Sequence, residues 1–197
     1  MLIEHKHLNQ SLKYDGSQIN PSWAFKSFGI KNSSIITWFG PMDIKSDNLK
    51  DFEDVGLEIK SNNMIHFIVE FFDCQPANIK IAYLRQRLLV MIFREELFKL
   101  GIISTRKGDD IYINGSKLSV SIASVSISSM KIHFGLNIED KGTPNDVKTI
   151  GLYDIIDNEN KRIFNKNNIL DLVNNVTLNY IEELTSIDED ISKTDCL

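Results

Sequence analysis

A carboxylate and an ammonium group flank one predicted turn in the second half of the chain. Asp110 and Lys117 lie on either side of Asn114-Gly115, a dipeptide typical of a two-residue β-hairpin. A compact ammonium held on a rigid strand stabilises the negative charge of a carboxylate or of a mixed anhydride with phosphate. Lys117 is therefore a candidate to contact such an anion, and Asp110 is placed to orient this ammonium or a ligand amine. The alternative is that Lys117 is a solvated strand end.

Three further candidates alternate along the strand predicted over residues 130–138. His133, Gly135 and Asn137 lie on one side of that strand, because successive side chains point to opposite faces. We predict that all three contact the ligand. For His133 the alternative is a histidine of the core, and Gly135 also allows the close approach of another strand.

A second predicted strand, over residues 64–72, carries His66 and Glu70 on one face. A carboxylate inside an apolar strand needs a partner or an exposed position. The functional interpretation places both residues at the ligand and pairs Glu70 with a basic residue of the following helix, Arg85 or Arg87. The alternative is a structural ion pair or an edge position for Glu70.

Other groups of polar residues are less specific. The acidic run at 51–54 fits a metal or a ligand amine, but such runs are also typical of solvated turns. His5 and His7 share a strand face, and without a third ligand nearby they make a weak case for zinc, so no metal is predicted. Arg106-Lys107 fits either a phosphate contact or an ordinary charged loop.

Composition limits the possible classes of protein. The chain has 197 residues, 22 Lys and Arg against 27 Asp and Glu, and a formal net charge of −5. This balance makes a nucleic-acid partner unlikely. Two cysteines far apart in sequence favour a reducing cytoplasm over a disulfide framework. We expect neither a signal peptide nor a membrane span, because no apolar run is long enough.

Hydrophobic periodicity predicts the elements that must position these residues. Apolar side chains recur at helical spacing over residues 79–100 and 168–184, and a short helix is predicted to begin at Asn20-Pro21 and end at Gly29. Strands are predicted over residues 34–39, 64–72, 110–114, 117–128 and 130–138. This order predicts an α+β fold, with a largely antiparallel or mixed sheet flanked by helices.

Local signals also predict the end of one strand, a β-bulge in another and the extent of the domain. Gly40-Pro41 is expected to end the first of these strands. A slip in apolar parity along residues 117–128 predicts a β-bulge near Ala123-Ser124. Residues 1–185 are expected to form one domain, and the acidic segment 186–197 is expected to be frayed.

Several of these residues resemble a known group of enzymes. Lys117, the segment His133-Phe134-Gly135-Leu136-Asn137-Ile138 and the segment Thr143-Pro144-Asn145-Asp146 occur in an order and spacing similar to those of biotin/lipoate ligases and octanoyltransferases. The resemblance implies the fold shared by biotin ligases and class II aminoacyl-tRNA synthetases. It also implies a small carboxylate, acyl or nucleotide-like ligand near Lys117. For an enzyme of this kind, it implies acyl or group transfer with Lys117 as the electrostatic stabiliser and Asp110 as its orienting partner.

A closer resemblance covers most of the chain. The runs at 51–54, 66–70, 86–87, 108–110 and 117–123 resemble an uncharacterised archaeal protein family with the same fold. This resemblance adds Asp109 and Arg87 to the predicted ligand-binding residues.

The chain departs from the enzymes at their defining positions. No two of its ten glycines are adjacent, Val120 stands where lipoate ligases carry glycine, and residues 149–152 lack the cysteine of octanoyltransferases. Neither adenylation nor thioester transfer is therefore supported by its own motif, and a shared fold does not transmit a function.

These residues support three functions of different classes. The first is a small-molecule binder that catalyses acyl or group transfer. The second is a non-catalytic ligand-sensing or assembly module, and the third and weakest is an RNA-binding protein, which would show steeply salt-dependent binding. A homodimer is compatible with the strand-rich architecture, and the residues do not specify a cofactor.

Overall fold

The computed structural model describes residues 1–52 and 55–195. The strands in these ranges are β1 (Ile3–Leu8), β2 (Ser33–Asp43), β3 (Lys60–Phe71), β4 (Thr105–Lys107), β5 (Asp110–Ile113), β6 (Ser116–Lys117), β7 (Ser119–Val125) and β8 (Met130–Asn137). The helices are α1 (Trp23–Phe28), α2 (Ile79–Lys99) and α3 (Ile169–Ser192), and short 3₁₀ turns cover Ser17–Ile19, Ser46–Asn48 and Leu152–Asp154.

Five strands form the main sheet in the order β1-β2-β3-β8-β7. The β1–β2 pair is parallel and the other three pairs are antiparallel, so the sheet is mixed. A second sheet has the order β4-β5-β6, and its last strand leads through Leu118 into β7. The small sheet therefore lies directly beside the edge of the large one.

The two faces of the main sheet are covered by different parts of the chain. Ile35 and Phe67 belong to the large core that also contains the apolar faces of α2 and α3. Ile36 and Trp38, on the opposite face, pack in a smaller core with Tyr14 and other residues of the N-terminal segment. Coverage on both faces explains why β2, β3 and β8 are almost continuously buried.

The α+β class and the mixed sheet flanked by helices are confirmed. The helix predicted over residues 79–100 is α2, and the Asn114-Gly115 signal marks the turn between β5 and β6. Both predictions rest on local patterns that do not depend on tertiary contacts.

Two predicted features of the strands are wrong. Strand β2 continues through Gly40-Pro41 to Asp43, because the register shift between Gly40 and Met42 accommodates the proline. The pairing of β7 with β8 runs without a shift from Ser119 to Val125, so there is no bulge at Ala123-Ser124. The slip in apolar parity arises because β7 is an edge strand that ends at Val125.

Two predicted helix boundaries also differ from the structure. Helix α1 begins at Trp23 after Ser22, because the Asn20 carbonyl and the Ser22 amide bind a buried ion pair instead of starting the helix. Helix α3 continues to Ser192, beyond the end predicted at residue 184. The N-terminal ammonium lies 2.6 Å from the Asp188 carboxylate and holds this part of the helix against the start of the chain.

In the described ranges, the helices all fall short of the length and apolar content that crossing a bilayer requires.

Candidate functional site

The β5–β6 hairpin positions the two residues at the centre of the predicted site. Asn114 and Gly115 have φ angles of 50° and 76°, as a type I′ turn requires. The turn pairs Tyr112 with Lys117, so Lys117 lies diagonally across from Asp110 on the same face. The distance from Lys117 Nζ to Asp110 Oδ2 is 2.8 Å.

Backbone hydrogen bonds hold Lys117 on the side away from the hairpin as well. The Lys117 amide donates to the Lys148 carbonyl at 2.8 Å, and the Ile150 amide donates to the Lys117 carbonyl at 3.0 Å. The Lys117 and Asp110 side chains are each 26% exposed. The ammonium is therefore fixed and half-buried, unlike that of a freely solvated lysine at a strand end.

The turn that places Lys117 predicts a measurable cost of substitution. We expect Gly115→Ala to lower the free energy of unfolding by about 1–2 kcal/mol, because an added Cβ meets open space but disfavours the positive φ. Asn114→Gly is the matched control and should change stability little. Urea unfolding of both variants tests this, and equal stability of Gly115→Ala and the parent protein would contradict it.

Lys117 borders a cavity of about 410 Å³, here called the Lys117 cavity. Its walls come from the hairpin, from the strand ends at Ser119–Ser121 and Asn137, and from the segments at 57–60 and 143–149. The volume lies within the range of small-molecule sites. Asp109, Asp110, Lys117 and Asn137 are thus the predicted site residues that the structure brings together.

Arg87 reaches this site only through Asp109. Arg87 Nη1 lies 2.5 Å from Asp109 Oδ1, while Gln86 Nε2 donates to Asp109 Oδ2 at 3.0 Å and to Ser121 Oγ at 2.8 Å. Helix α2 therefore fixes the Asp109 carboxylate at the cavity wall. Arg87 itself does not line the cavity and acts as a positioning residue.

His66, His133 and Gly135 lie in the smaller core and not in the Lys117 cavity. The His66 Nε2–H group donates to the Gly40 carbonyl at 3.1 Å, which leaves Nδ1 to accept from His133 Nε2 at 3.1 Å. The Tyr14 ring stacks on the His133 ring with 3.7 Å between centroids. His133 also borders a neighbouring recess of about 50 Å³, which is too small for most ligands.

This histidine pair should make the protein sensitive to acid. Burial lowers the pKa of His66 to about 3 and that of His133 well below its ordinary value. Above about pH 6.5 the pair is neutral in both the folded and the unfolded chain. Below that pH, these two histidines take up protons in the unfolded chain but not in the folded one. The free energy of unfolding should therefore fall by about 1.4 kcal/mol per pH unit for each histidine.

Urea unfolding at pH 7, 6 and 5 measures this dependence. His66→Gln should reduce the slope, whereas His5→Gln should leave most of it, because His5 is only partly buried. A parent protein equally stable at pH 7 and pH 5 would contradict the prediction.

Glu70 forms an ion pair that the sequence analysis did not propose. Its Oε2 atom lies 3.0 Å from Lys131 Nζ, and both side chains are 1% exposed. Arg85 instead binds Asp73 through two hydrogen bonds, and Arg87 binds Asp109. The functional pairing of Glu70 with Arg85 or Arg87 is wrong, because α2 covers the opposite face of the sheet.

The remaining candidates from the sequence are the histidines His5 and His7 and the acidic run at 51–54. His5 Nε2 and His7 Nδ1 both lie within 3.1 Å of Thr37 Oγ1, and the described residues hold no cluster of three or more His, Cys, Asp or Glu able to bind a metal. In the acidic run at 51–54, Asp51 lines the Lys117 cavity, whereas residues 53–54 lie outside the described residues.

Two features escaped the sequence analysis. Lys131 alternates with His133 along β8, and this period-two signal marks it as an inward-facing partner for Glu70. Lys60 lines the Lys117 cavity and pairs with Glu58 at 2.6 Å, and no local pattern indicated this because the segment reaches the cavity only through tertiary folding.

Comparison with known proteins shows both the fold and the family. A structure from Pyrococcus horikoshi, described as a protein of unknown function, is 35% identical, covers all of both chains and superposes with a TM-score of 0.87. An uncharacterised protein of Methanocaldococcus jannaschii is 39% identical over 189 residues, which make up 93% of this chain and 80% of the relative.

More distant structures share the fold alone. Biotin protein ligase from Aquifex aeolicus, in complex with biotin and ATP, is 15% identical with a TM-score of 0.58, over 91% of this chain and 71% of the ligase. A putative lipoate protein ligase from T. acidophilum with bound lipoic acid is 12% identical with a TM-score of 0.59, over 93% of this chain and 85% of that protein. The chain therefore has the biotin/lipoate protein ligase fold.

The family assignment covers nearly the whole sequence. The profile of the DUF366 family matches residues 3–195, a span that includes all the strands and helices described above. Together with the relatives at 35% and 39% identity, this match shows that the chain belongs to DUF366, a domain family of unknown function.

Proposed function

We propose that this protein binds a small carboxylate or acyl ligand in the Lys117 cavity. The observation that carries the proposal is the Lys117 ammonium, fixed on a strand, held 2.8 Å from Asp110 and bordering a cavity of about 410 Å³. A fixed cation in a partly enclosed site binds an anion better than a mobile surface lysine does, because less ordering is needed on binding.

The fold of the neighbours supports this ligand class. The solved Aquifex aeolicus structure contains biotin and ATP, and the T. acidophilum structure contains lipoic acid. Biotin and lipoic acid are both carboxylic acids. A nucleotide is less well supported, because the chain has no adjacent glycines that would let backbone amides approach phosphates.

Acyl or group transfer is the reaction class that fits the site. In such a reaction Lys117 stabilises the charge that develops on the acyl oxygen, and Asp110 keeps the ammonium oriented. The four hydroxyl groups of the described lining all have hydrogen-bond partners within the chain. Ser121 donates to the His133 carbonyl and Thr143 to the Asp140 carbonyl, Thr149 Oγ1 lies 2.8 Å from Thr143 Oγ1, and Ser119 accepts from the Ile111 amide. The proposal therefore names no covalent nucleophile.

The lining of the Lys117 cavity also favours a second candidate, a non-catalytic ligand-sensing module. The described lining of the cavity contains no cysteine nucleophile and no histidine base. Such a module binds the ligand without converting it, so binding and turnover have to be measured separately.

A thermal-shift screen tests the binding proposal. The parent protein, Lys117→Ala and Lys148→Ala are heated with lipoate, octanoate, biotin or ATP. At a ligand concentration about 100 times Kd, binding to the native state adds about 2.7 kcal/mol and raises Tm by several degrees. We expect a rise with at least one carboxylate for the parent and for Lys148→Ala, which removes an exposed lysine outside the cavity. Loss of the shift in Lys117→Ala supports the proposal, and no shift with any ligand contradicts it.

A turnover assay separates the two candidates. The protein is incubated with hydroxylamine and either octanoyl-coenzyme A or octanoate plus ATP, and octanoyl hydroxamate is measured. A transferase produces hydroxamate, and Lys117→Ala abolishes it. A sensing module binds octanoate but produces no more hydroxamate than the uncatalysed mixture.

A further inference from the structure

Asn137 presents a carboxamide without a protein partner to the Lys117 cavity. It is the last residue of β8, is only 5% exposed and lines the cavity wall. Among the described residues, no side chain or backbone group hydrogen-bonds to its carboxamide, although its backbone amide donates to the Leu118 carbonyl at 2.9 Å. A nearly buried polar side chain without a protein partner is satisfied by water or by a ligand group, so this carboxamide is available to a molecule bound in the cavity.

The charge of the cavity lining indicates what kind of group this is. Among the described residues, five carboxylates and two ammonium groups line the cavity, and the Arg87 guanidinium pairs with one of these carboxylates from outside it, which leaves a formal charge of −2; the lining residues are Asp51, Glu58, Asp109, Asp110, Asp146, Lys60 and Lys117. A lining of this charge disfavours a ligand with several negative charges and favours one that also carries a positive charge.

Both cations of the lining already have partners. Lys117 pairs with Asp110 at 2.8 Å and Lys60 pairs with Glu58 at 2.6 Å. A ligand carboxylate can share the Lys117 ammonium, but it brings an uncompensated negative charge close to Asp110. A positive group on the same ligand offsets that repulsion.

The position of Asn137 indicates where on the ligand this positive group lies. The hydrogen bond from the Asn137 amide to the Leu118 carbonyl places Asn137 beside the residue that follows Lys117. Both residues line the cavity, so a ligand whose carboxylate is bound by Lys117 has the Asn137 carboxamide in the same cavity. The Asn137 carbonyl oxygen, Oδ1, is the atom able to accept a hydrogen bond from a ligand ammonium.

We infer that the ligand is an amino acid-like zwitterion, in which an ammonium group lies close to the carboxylate. Lys117 binds the carboxylate, and Asn137 together with the acidic lining binds the ammonium. This inference rests on the proposed function and specifies its ligand class.

Matched eight-carbon ligands test the inference by isothermal titration calorimetry of the full chain at pH 7 and low salt. Octanoate carries the carboxylate alone, 2-aminooctanoate adds an adjacent ammonium, and 8-aminooctanoate places the ammonium at the far end. We expect 2-aminooctanoate to bind about 10-fold more tightly than octanoate, as a charge-assisted hydrogen bond provides. We expect 8-aminooctanoate to show no such gain.

Three variants assign the effect to the residues named. Asn137→Leu, similar in size, should bring the ratio of the two affinities close to one, whatever its effect on the affinity for octanoate itself. Asn137→Asp should keep the preference for 2-aminooctanoate, because it retains an acceptor and adds a negative charge. Asp146→Asn, at an exposed position of the wall, should reduce the preference about two-fold without affecting folding.

The outcomes separate this inference from the proposed function. Equal or tighter binding of octanoate, or a gain shown only by 8-aminooctanoate, overturns the inference and leaves carboxylate binding in place. Binding of none of the three ligands overturns both. An Asn137→Leu protein that keeps the full preference overturns the role of Asn137.

Discussion

Replacing Glu70 by alanine is expected to lower the free energy of unfolding by about 3–5 kcal/mol at pH 7. The substitution leaves Lys131, 1% exposed, with no carboxylate beside its ammonium. Burial already lowers the pKa of Lys131, and Glu70 opposes that shift. The substitution also removes the acceptor of the Ser22 amide and of the Ser129 hydroxyl, both at 2.8 Å. Urea unfolding measures the change.

Two comparisons make this prediction specific to the buried pair. Glu159→Gln removes one partner of an ion pair whose side chains are both 72% exposed, and should change stability little. The double variant Glu70→Met with Lys131→Met should be more stable than Glu70→Ala, because it removes both buried charges together. If Glu70→Ala does not fold, Glu70→Gln provides the measurement. Equal effects of Glu70→Gln and Glu159→Gln would contradict the account.

Replacing Lys117 by alanine is expected to weaken the binding of octanoate about 10- to 100-fold. A hydrogen bond to a charged group contributes about 1.5–3 kcal/mol, and each 1.4 kcal/mol changes affinity about ten-fold. The loss should appear in Kd measured by titration calorimetry. The stability of the protein without ligand should change much less, since the Lys117 side chain is only half-buried and pairs at the surface of the cavity.

Lys117→Arg and Lys148→Ala are the controls for this prediction. Lys117→Arg keeps the positive charge and should retain part of the affinity, although the larger guanidinium does not reproduce the position of the ammonium. Lys148→Ala removes an exposed lysine close in sequence and should bind octanoate as the parent does. Equal weakening by Lys117→Ala and Lys148→Ala would show that net charge, and not the fixed ammonium, determines binding.

The parts of the site that the sequence predicted depend on local patterns. Asn114-Gly115 specifies its own turn, and a turn of that length fixes the register that brings Lys117 beside Asp110. The alternation of β8 likewise places Asn137 on one face with His133 and Gly135. These inferences need only the geometry of a hairpin and of a strand.

The errors at the site concern relations between distant parts of the chain. The pattern of α2 shows which of its residues are apolar, but not which face of the sheet the helix covers. The pairing of Glu70 with Arg85 or Arg87 is therefore compatible with the sequence. The helix packs on the opposite face, and the Glu70 carboxylate is neutralised by Lys131 on the neighbouring strand. His66 and His133 are 67 residues apart, and their hydrogen bond follows from strand pairing that no local pattern specifies.

The most direct test of the central claim is a crystal structure of the protein soaked with octanoate. We predict density for the carboxylate group within about 3 Å of Lys117 Nζ, the distance of a charge-assisted hydrogen bond, with the chain extending into the Lys117 cavity. Octanoate bound elsewhere on the protein, with the Lys117–Asp110 pair unchanged and the cavity holding only water, would contradict the account.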